Sequence, residues 1–187
     1  MTSNTAWVRT RTMQIETPRH FQGTKFLKIE REAFFCSQSC PGDVILKAQD
    51  WANARHVNDA PVISGFHTPI ERDMLRILLR GGHSVVYTLA RCIEGSRLPA
   101  TVRAAQKHGN AVILSPFGTS VRQTTARTAD ERNRFILTRA STVLIAHASH
   151  GGKTEALAIE ALALGLPVVT LSSPSNANLV RLGATVV

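Results

Sequence analysis

The 187-residue chain contains no apolar run that approaches the roughly 20 residues of a membrane-spanning helix. It also lacks, after its first charged residues, the apolar stretch of a secretory signal, so we expect a cytoplasmic protein without a membrane anchor. Cysteine is scarce, and three residues are an odd number that disfavours a disulfide-stabilised secreted domain. Hydrophobic residues still make up 43%, which is ordinary for a globular protein with a buried core.

The few cysteines leave one question open. Cys36 and Cys40 are spaced as C-x-x-x-C, which could be half of a zinc site or a redox pair. No second cysteine pair follows, and the further ligand candidates His20 and His56 match no common zinc spacing. We therefore expect free thiols, no metal and no cofactor.

Acidic residues are also few, 13 against 22 lysines and arginines, which gives a net charge of +9. Residues 1–31 carry six basic and two acidic side chains, and residues 91–139 carry nine and three. Clustered positive charge favours polyanionic partners, although a loose basic tail that aids solubility would give the same totals. We interpret residues 1–30 as a basic N-terminal arm or extension and residues 31–187 as a single domain.

From about residue 32 the sequence alternates short apolar runs with helical patterns. The runs are continuous and rich in β-branched residues, which is typical of strands covered on both faces. They are residues 33–36, 61–64, 84–87, 111–114, 142–146 and 167–171. The helical patterns cover about 41–57, 69–80, 98–108, 129–140, 153–164 and 175–182. This order predicts an α/β, Rossmann-like, doubly wound fold with a mostly parallel six-stranded sheet and helices on both faces.

Two helix starts carry capping signals. Thr68 is followed by a proline at the first helical position and by Glu71 at the third, which predicts a capping box. Thr128 and Glu131 have the same spacing and predict a second capping box. These signals strengthen the alternation of strands and helices that the apolar runs indicate.

Ligands of open α/β sheets bind outside the carboxyl ends of the strands, so the loops after the strands are the candidate sites. The first is Ser64-Gly65-Phe66-His67-Thr68, where glycine permits close approach and the helix start supplies free N–H groups. The hydroxyl and imidazole groups of this loop could donate hydrogen bonds to phosphate. The alternative is a tight turn that holds no ligand.

The second candidate is the turn of Gly151, Gly152, Lys153 and Thr154 at the start of a helix. Two glycines, a lysine and a threonine at this point predict an anion-binding turn. It is not a Walker A loop, because that pattern requires a glycine where His147 lies. The alternative is a glycine-rich turn with a solvated lysine.

Arginines at two further places could complete such a site. Arg132 and Arg134, on either side of Asn133, should point in different directions from one helix, so that one reaches the crevice while the other faces solvent. A guanidinium group suits phosphate because it offers two parallel donors. Arg91, just after a predicted strand, could line the same crevice.

Aromatic side chains on these loops suggest a role in base stacking. Phe66 and Phe117 lie beside basic groups and could stack on nucleobases, although such residues more often hold a loop to the core. No pair of nucleophile and base is identifiable, so the sequence favours a binding protein over an enzyme. If the protein is an enzyme, Glu155 is the candidate acid.

Taken together, these segments resemble those of the DprA/Smf DNA-processing family. Residues 62–65 (VISG) are similar to its VVSG segment, and residues 132–136 (RNRFI) closely resemble its RNRII motif. Residues 115–118 (SPFG) and 151–154 (GGKT) are similar to two further segments of the family. The order and spacing agree over about residues 33–171.

The resemblance implies a Rossmann-like fold, single-stranded DNA bound in a basic pocket, a homodimer, and help in loading a RecA-type recombinase. The leading hypothesis is therefore a DNA-processing protein that binds single-stranded DNA through a phosphate-binding crevice. The alternative is a nucleotide-binding sensor, or a phosphoribohydrolase of the related Lonely Guy type, whose PGGxGTxxE motif the second glycine turn partly matches. Both require the glycine turns to converge with Arg132 or Arg134 on one pocket.

Overall fold

Seven strands form one sheet in residues 30–187, the part of the chain that the computed structural model describes. Nearly all of the predicted basic arm lies outside these residues. The sheet order is β4-β3-β2-β1-β5-β6-β7, and every neighbouring pair is parallel. The strands are β1 (Glu32–Cys36), β2 (Val62–Ser64), β3 (Val85–Thr88), β4 (Ala111–Leu114), β5 (Thr142–His147), β6 (Val168–Thr170) and β7 (Thr185–Val186).

Helices cover both faces of the sheet. Those found in residues 30–187 are α1 (Gly42–Ala54), α2 (Pro69–Arg80), α3 (Ala100–Lys107), α4 (Ala126–Leu137), α5 (Lys153–Ala163) and α6 (Ala177–Leu182). The first three pack on the face that contains Phe34 and Cys36 of β1, and the last three on the face that contains Ala33 and Phe35. Because neighbouring residues of a strand point to opposite faces, both faces bury apolar side chains, and the apolar runs are continuous. The predicted doubly wound, Rossmann-like α/β class is confirmed.

None of the helices in residues 30–187 has the length and apolar character needed to cross a bilayer.

The sheet has one strand more than the six that were predicted. β7 pairs with β6, with Thr185 opposite Val169 and Val186 opposite Thr170. It contains two residues, and both are exposed. A two-residue edge strand buries too little to require an apolar run, which explains why the sequence pattern missed it.

The start of α4 differs from the prediction because a different threonine caps it. The Thr125 hydroxyl accepts from the N–H of Thr128 at 3.1 Å, and the Thr128 hydroxyl accepts from the N–H of Thr125 at 2.9 Å. The helix therefore begins at Ala126, and the predicted capping box of Thr128 and Glu131 was wrong. Glu131 instead pairs with Arg127 at 2.6 Å along the helix.

The sheet order places a crevice beside β1. From β1 the chain first builds β2, β3 and β4 on one side and then β5, β6 and β7 on the other. Helices that follow β1 and β5 therefore leave on opposite faces and open a crevice at the carboxyl ends of the strands. The predicted loops after β2 and β5 both end at this rim.

Candidate functional site

A cleft of about 260 Å³ lies at this crevice. The end of β1, the start of α2, one side of α4 and the start of α5 form its walls. The predicted site residues that line it are His67, Thr68, Arg132, Asn133, Lys153 and Thr154. The structure thus brings parts of both candidate loops and one arginine to the same rim of the sheet.

Glu71 closes the turn that follows β2. Its carboxylate accepts from the N–H groups of His67 at 2.7 Å, Thr68 at 3.2 Å and Cys36 at 3.3 Å. The Thr68 hydroxyl accepts in return from the N–H of Glu71 at 3.3 Å, so the predicted capping box is confirmed. The N–H groups of His67 and Thr68, which the sequence predicts as phosphate donors, are therefore already hydrogen-bonded to the Glu71 carboxylate. Sequence reasoning gave Glu71 a capping role and missed its bond to β1.

Arg132 lies directly over Gly65. A β-carbon on residue 65 would lie 2.6 Å from Nη2 of Arg132 and closer still to Nη1 and Cζ, so no side chain fits there unless the guanidinium moves. The arginine is 6% exposed. Its Nε donates to Oδ1 of Asn133 at 2.8 Å, and its Nη1 donates to the carbonyl of Thr88 at 3.4 Å. The missing β-carbon of Gly65 therefore leaves the space that the Arg132 guanidinium occupies.

The charge of Arg132 has no ion-pair partner among residues 30–187. Burial lowers the pKa of the guanidinium, and the nearby Glu71 carboxylate opposes that shift. A buried cation without a paired carboxylate is costly, and a bound anion would compensate it. Arg132 is therefore the residue of the cleft whose surroundings are best suited to an anion.

Phe66 and Ser64 turn away from the cleft. The Phe66 ring is 2% exposed and stacks on Tyr87 with 5.7 Å between ring centroids. The backbone of Phe66 has φ of 48°, and its N–H donates to the buried Ser64 hydroxyl at 3.1 Å. Both side chains thus hold the turn to the core, and neither lines the cleft, so the structure does not place the predicted base-stacking ring of Phe66 or the predicted phosphate contact of Ser64 beside Arg132.

The loops after β3 and β4 are hydrogen-bonded to each other. The Ser115 hydroxyl donates to the carbonyl of Arg91 at 2.7 Å and accepts from the N–H of Phe117 at 3.0 Å. The N–H of Cys92 donates to the carbonyl of Val121 at 2.7 Å. Arg91 and Phe117 are half-buried and lie outside the lining of the cleft.

Glu155 holds the turn that precedes α5. Its carboxylate accepts from the N–H of Gly151 at 2.6 Å and from the Asn178 amide at 2.6 Å, and it lies 3.2 Å from Nδ1 of His150. These contacts, led by the Asn178 hydrogen bond, lower the pKa of Glu155. The candidate acid is therefore held as a carboxylate that fixes the loop.

Lys153 and Asp130 meet at the edge of the cleft. The Lys153 ammonium lies 2.8 Å from the Asp130 carboxylate, so the pair links α5 to α4. The N–H groups of Lys153, Thr154 and Glu155 have no acceptor within residues 30–187. An anion that replaced Asp130 would meet a lysine and the positive end of a helix.

Arg134 lies outside the cleft. It is exposed, and its Nε is 3.0 Å from both carboxylate oxygens of Glu160 on α5. It lines a smaller cavity, of about 100 Å³, between α4 and α5. The two arginines point in different directions, as their spacing predicts, and Arg132 is the one that reaches the crevice.

Cys36 and Cys40 are free thiols next to each other. Cys36 is buried and lines the cleft, and a hydrogen bond with Cys40, together with burial, raises its pKa. Among residues 30–187 no group of three or more His, Cys, Asp or Glu side chains could hold a metal ion. His56 is exposed, and His20 lies outside the described residues.

Two solved structures of DNA processing protein A are similar to the chain over most of its length. The protein from Streptococcus pneumoniae superimposes with a TM-score of 0.74 and 18% identity, over 89% of this chain and 62% of that one. The protein from Helicobacter pylori, which binds single-stranded DNA, gives 0.73 and 16%, over 89% and 79%. The chain thus spans less than two thirds of the Streptococcus pneumoniae protein. The resemblance to DprA that the motifs predicted is confirmed at the level of the fold.

The same fold occurs in a protein that binds another ligand. A molybdenum cofactor binding protein from Rippkaea orientalis has a TM-score of 0.58 and 12% identity, over 86% of this chain and 90% of that one. No protein-family model matches the chain, and no curated protein matches its sequence.

Proposed function

We propose that this protein is a DprA/Smf-like DNA-processing protein that binds single-stranded DNA in the cleft beside β1. The observation that carries the proposal is Arg132, a buried guanidinium without an ion-pair partner in residues 30–187, which lies over Gly65 at the rim where doubly wound folds bind ligands. The fold shared with two DprA structures supports the same assignment.

The proposed contacts follow from the lining of the cleft. A phosphate bound to Arg132 would supply the negative charge that the guanidinium lacks. The hydrogen bond between Arg132 and Asn133 would stay in place. On one side it would meet His67 and Thr68, and on the other the free N–H groups at the start of α5. We assign direct contact to His67, Thr68, Arg132, Asn133, Lys153 and Thr154, and a shaping role to Gly65, Gly151 and Gly152.

The charge of the chain supports a polyanionic ligand. Residues 91–139, which include α4, carry nine basic and three acidic side chains. Each phosphate that such a surface neutralises releases counterions, so binding is strongest at low salt. A small neutral ligand would gain nothing from this excess.

The proposal extends to a recombination mediator that loads a RecA-type recombinase and acts as a cytoplasmic homodimer, as the DprA/Smf resemblance implies. Light scattering of the purified chain measures the oligomeric state. A strand-exchange assay with single-stranded DNA already coated by a single-strand binding protein measures loading. A monomer that does not accelerate recombinase loading contradicts this extension and leaves DNA binding standing.

A small nucleotide is the second candidate ligand because the cleft, at about 260 Å³, is close to the lower limit of small-molecule sites, roughly 300 Å³. Since Glu155 is fully engaged in its turn, the cleft suits a sensor better than a phosphoribohydrolase. Incubation with nucleoside monophosphates separates the two. Release of free base identifies an enzyme, and a thermal shift without turnover identifies a sensor.

Fluorescence anisotropy with a labelled oligothymidylate tests the proposal. The logarithm of the affinity should fall linearly with the logarithm of the salt concentration, by about 0.7 for each phosphate contacted. Arg132→Ala should weaken binding by about tenfold or more, because a hydrogen bond to a charged group contributes about 1.5–3 kcal/mol. Arg134→Ala, on the same helix but outside the cleft, is the matched control. Undetectable binding at low salt, or equal losses in both variants, rejects the proposal.

A further inference from the structure

Thr88 carries a buried hydroxyl without a hydrogen-bond partner at the end of β3. The residue is fully buried, and its Oγ1 forms no hydrogen bond within residues 30–187. Other buried hydroxyl groups in this part of the chain are hydrogen-bonded, as at Ser64, Ser115 and Thr170. A buried polar group without a partner destabilises a folded protein, and native proteins contain few of them.

The side chain of Thr88 points into the layer between the sheet and α4. Because alternate residues of a strand share a face, Thr88 lies on the same face as Val86, which belongs to the core under α4, α5 and α6. Leu114, the register partner of Thr88 on β4, belongs to the same core. The hydroxyl is therefore on the side of the sheet that α4 covers.

Arg132 enters the same layer from α4. It lies one helical turn before Ile136, a buried residue of that core, so both side chains face the sheet. Its Nη1 is 3.4 Å from the Thr88 carbonyl, which is longer than the usual range of about 2.7–3.2 Å and marks a weak hydrogen bond. Its Nε donates to Asn133, and its Nη2 has no acceptor within residues 30–187. Since Arg132 lines the cleft, Thr88 lies behind its guanidinium rather than on the cleft surface.

We propose that Thr88 is a ligand-binding residue, whose hydroxyl donates to an oxygen of the phosphate that Arg132 binds. A hydroxyl and a guanidinium are both donors toward an oxyanion, and the phosphate supplies the acceptor that the Thr88 hydroxyl lacks. The hydroxyl has no partner in the described chain to give up, so turning it toward the phosphate costs no hydrogen bond. This inference rests on the proposed function and deepens it, since it adds a neutral donor at the inner end of the cleft.

Thr88→Val, which replaces the hydroxyl by a methyl group of similar size, should change stability and binding in opposite directions. Removing an unpartnered buried hydroxyl should raise the melting temperature by about 2–4 °C. The affinity for an oligothymidylate should fall by about tenfold, because a hydrogen bond to a charged phosphate is lost. Calorimetry and fluorescence anisotropy measure the two effects. Thr88→Ser, which keeps the hydroxyl, should retain most of the affinity.

Thr170→Val is the matched control. Thr170 ends β6 as Thr88 ends β3, and it is equally buried, but its hydroxyl donates to the Ile145 carbonyl at 2.8 Å. Its replacement should lower the melting temperature, because a satisfied hydrogen bond is lost, and leave the affinity unchanged. Weaker binding in Thr88→Val alone is then not a general effect of exchanging a buried threonine for valine.

A double-mutant cycle with Arg132→Ala tests whether both residues contact one phosphate. If they do, Thr88→Val should weaken binding much less in the Arg132→Ala background than in the unmodified protein, because residues that share a ligand group are coupled. Equal losses in the two backgrounds would show that the hydroxyl does not act on the phosphate of Arg132, which overturns the proposed contact.

The outcomes separate this contact from the proposed function. If the unmodified protein does not bind the oligonucleotide, both are overturned. If Arg132→Ala weakens binding but Thr88→Val binds as tightly as the unmodified protein, the Thr88 contact is overturned and the proposed function stands. A lower melting temperature in Thr88→Val than in the unmodified protein would show that the hydroxyl is hydrogen-bonded in the free protein, which also overturns the contact.

Discussion

The turns before α2 and α5 share one local design but differ in how the protein fills them. In each, a glutamate in the first turn of the helix accepts backbone N–H groups that precede it. Glu71 accepts from His67 and Thr68, and Glu155 accepts from Gly151. In both turns an internal carboxylate therefore occupies donors that sequence patterns would assign to a phosphate.

The two turns differ in how much free space surrounds their glycines. Gly65 is buried beneath Arg132, so its missing side chain is required by a close approach. Gly151 is exposed, has φ of 69°, and a β-carbon there would meet no atom within 4 Å, so its requirement is conformational. The turn before α2 thus leaves space for the buried Arg132 guanidinium. The turn before α5 is exposed, and its Lys153 is paired with Asp130.

The largest effect on oligonucleotide binding is expected for Gly65→Ala, which fills the space that the Arg132 guanidinium occupies. The new β-carbon would overlap the Arg132 guanidinium and force it away from Thr88. We expect the affinity for an oligothymidylate to fall by about tenfold or more, as for Arg132→Ala, since the same charged contact is lost. Gly118→Ala is the control, because a β-carbon at residue 118 meets no atom within 4 Å. Unchanged affinity in Gly65→Ala contradicts the close approach.

Removing the charge of Glu71 should lower the free energy of unfolding by more than removing the charge of Glu155. Glu71→Gln leaves one amide facing N–H donors in a buried site, and we expect a loss of about 2 kcal/mol in the free energy of unfolding. Glu155→Gln should cost less, because its turn is more open to solvent. Urea denaturation measures both. A larger loss in Glu155→Gln than in Glu71→Gln reverses the comparison.

The open turn should also contribute a dependence on pH. Because the pKa of Glu155 is lowered in the folded protein, its contribution to stability is present above the ordinary glutamate value, about 4.3, and is lost as the pH falls through the lowered value. The stability advantage of the unmodified protein over Glu155→Gln should therefore persist from neutral pH to mildly acidic pH and disappear in more acidic solution. Urea midpoints over this range measure it, and a difference independent of pH refutes it.

The smallest effect is expected at the exposed ion pair. Asp130→Asn releases Lys153 and should strengthen oligonucleotide binding by about two- to threefold, while the free energy of unfolding falls by less than about 1 kcal/mol. Asp73→Asn, which releases Arg76 away from the cleft, serves as its control. Weaker binding in Asp130→Asn than in Asp73→Asn shows that the pair does not restrain the lysine.

The fold could be predicted from the sequence because its signals are local. Strands buried on both faces leave continuous apolar runs. The capping box is indicated by Thr68, Pro69 and Glu71, which lie close together in the sequence. The start of α4 was missed because Thr128 replaces the usual glutamate in the capping box of Thr125. β7 was missed because its two residues are exposed and carry no burial pattern.

The site could be predicted only in part because side-chain burial depends on tertiary contacts. The spacing of Arg132 and Arg134 predicts that they diverge, but only the position of α4 over Gly65 decides which one is buried. Likewise, no sequence pattern distinguishes a Phe66 that stacks on a base from one that stacks on Tyr87.

The most direct test of the account is a structure of the full chain bound to a short oligothymidylate. We predict a phosphate within about 3 Å of the Arg132 guanidinium, in the cleft bordered by His67 and Thr68. A strand bound on another surface, with Arg132 still contacting only Asn133 and Thr88, would contradict the account.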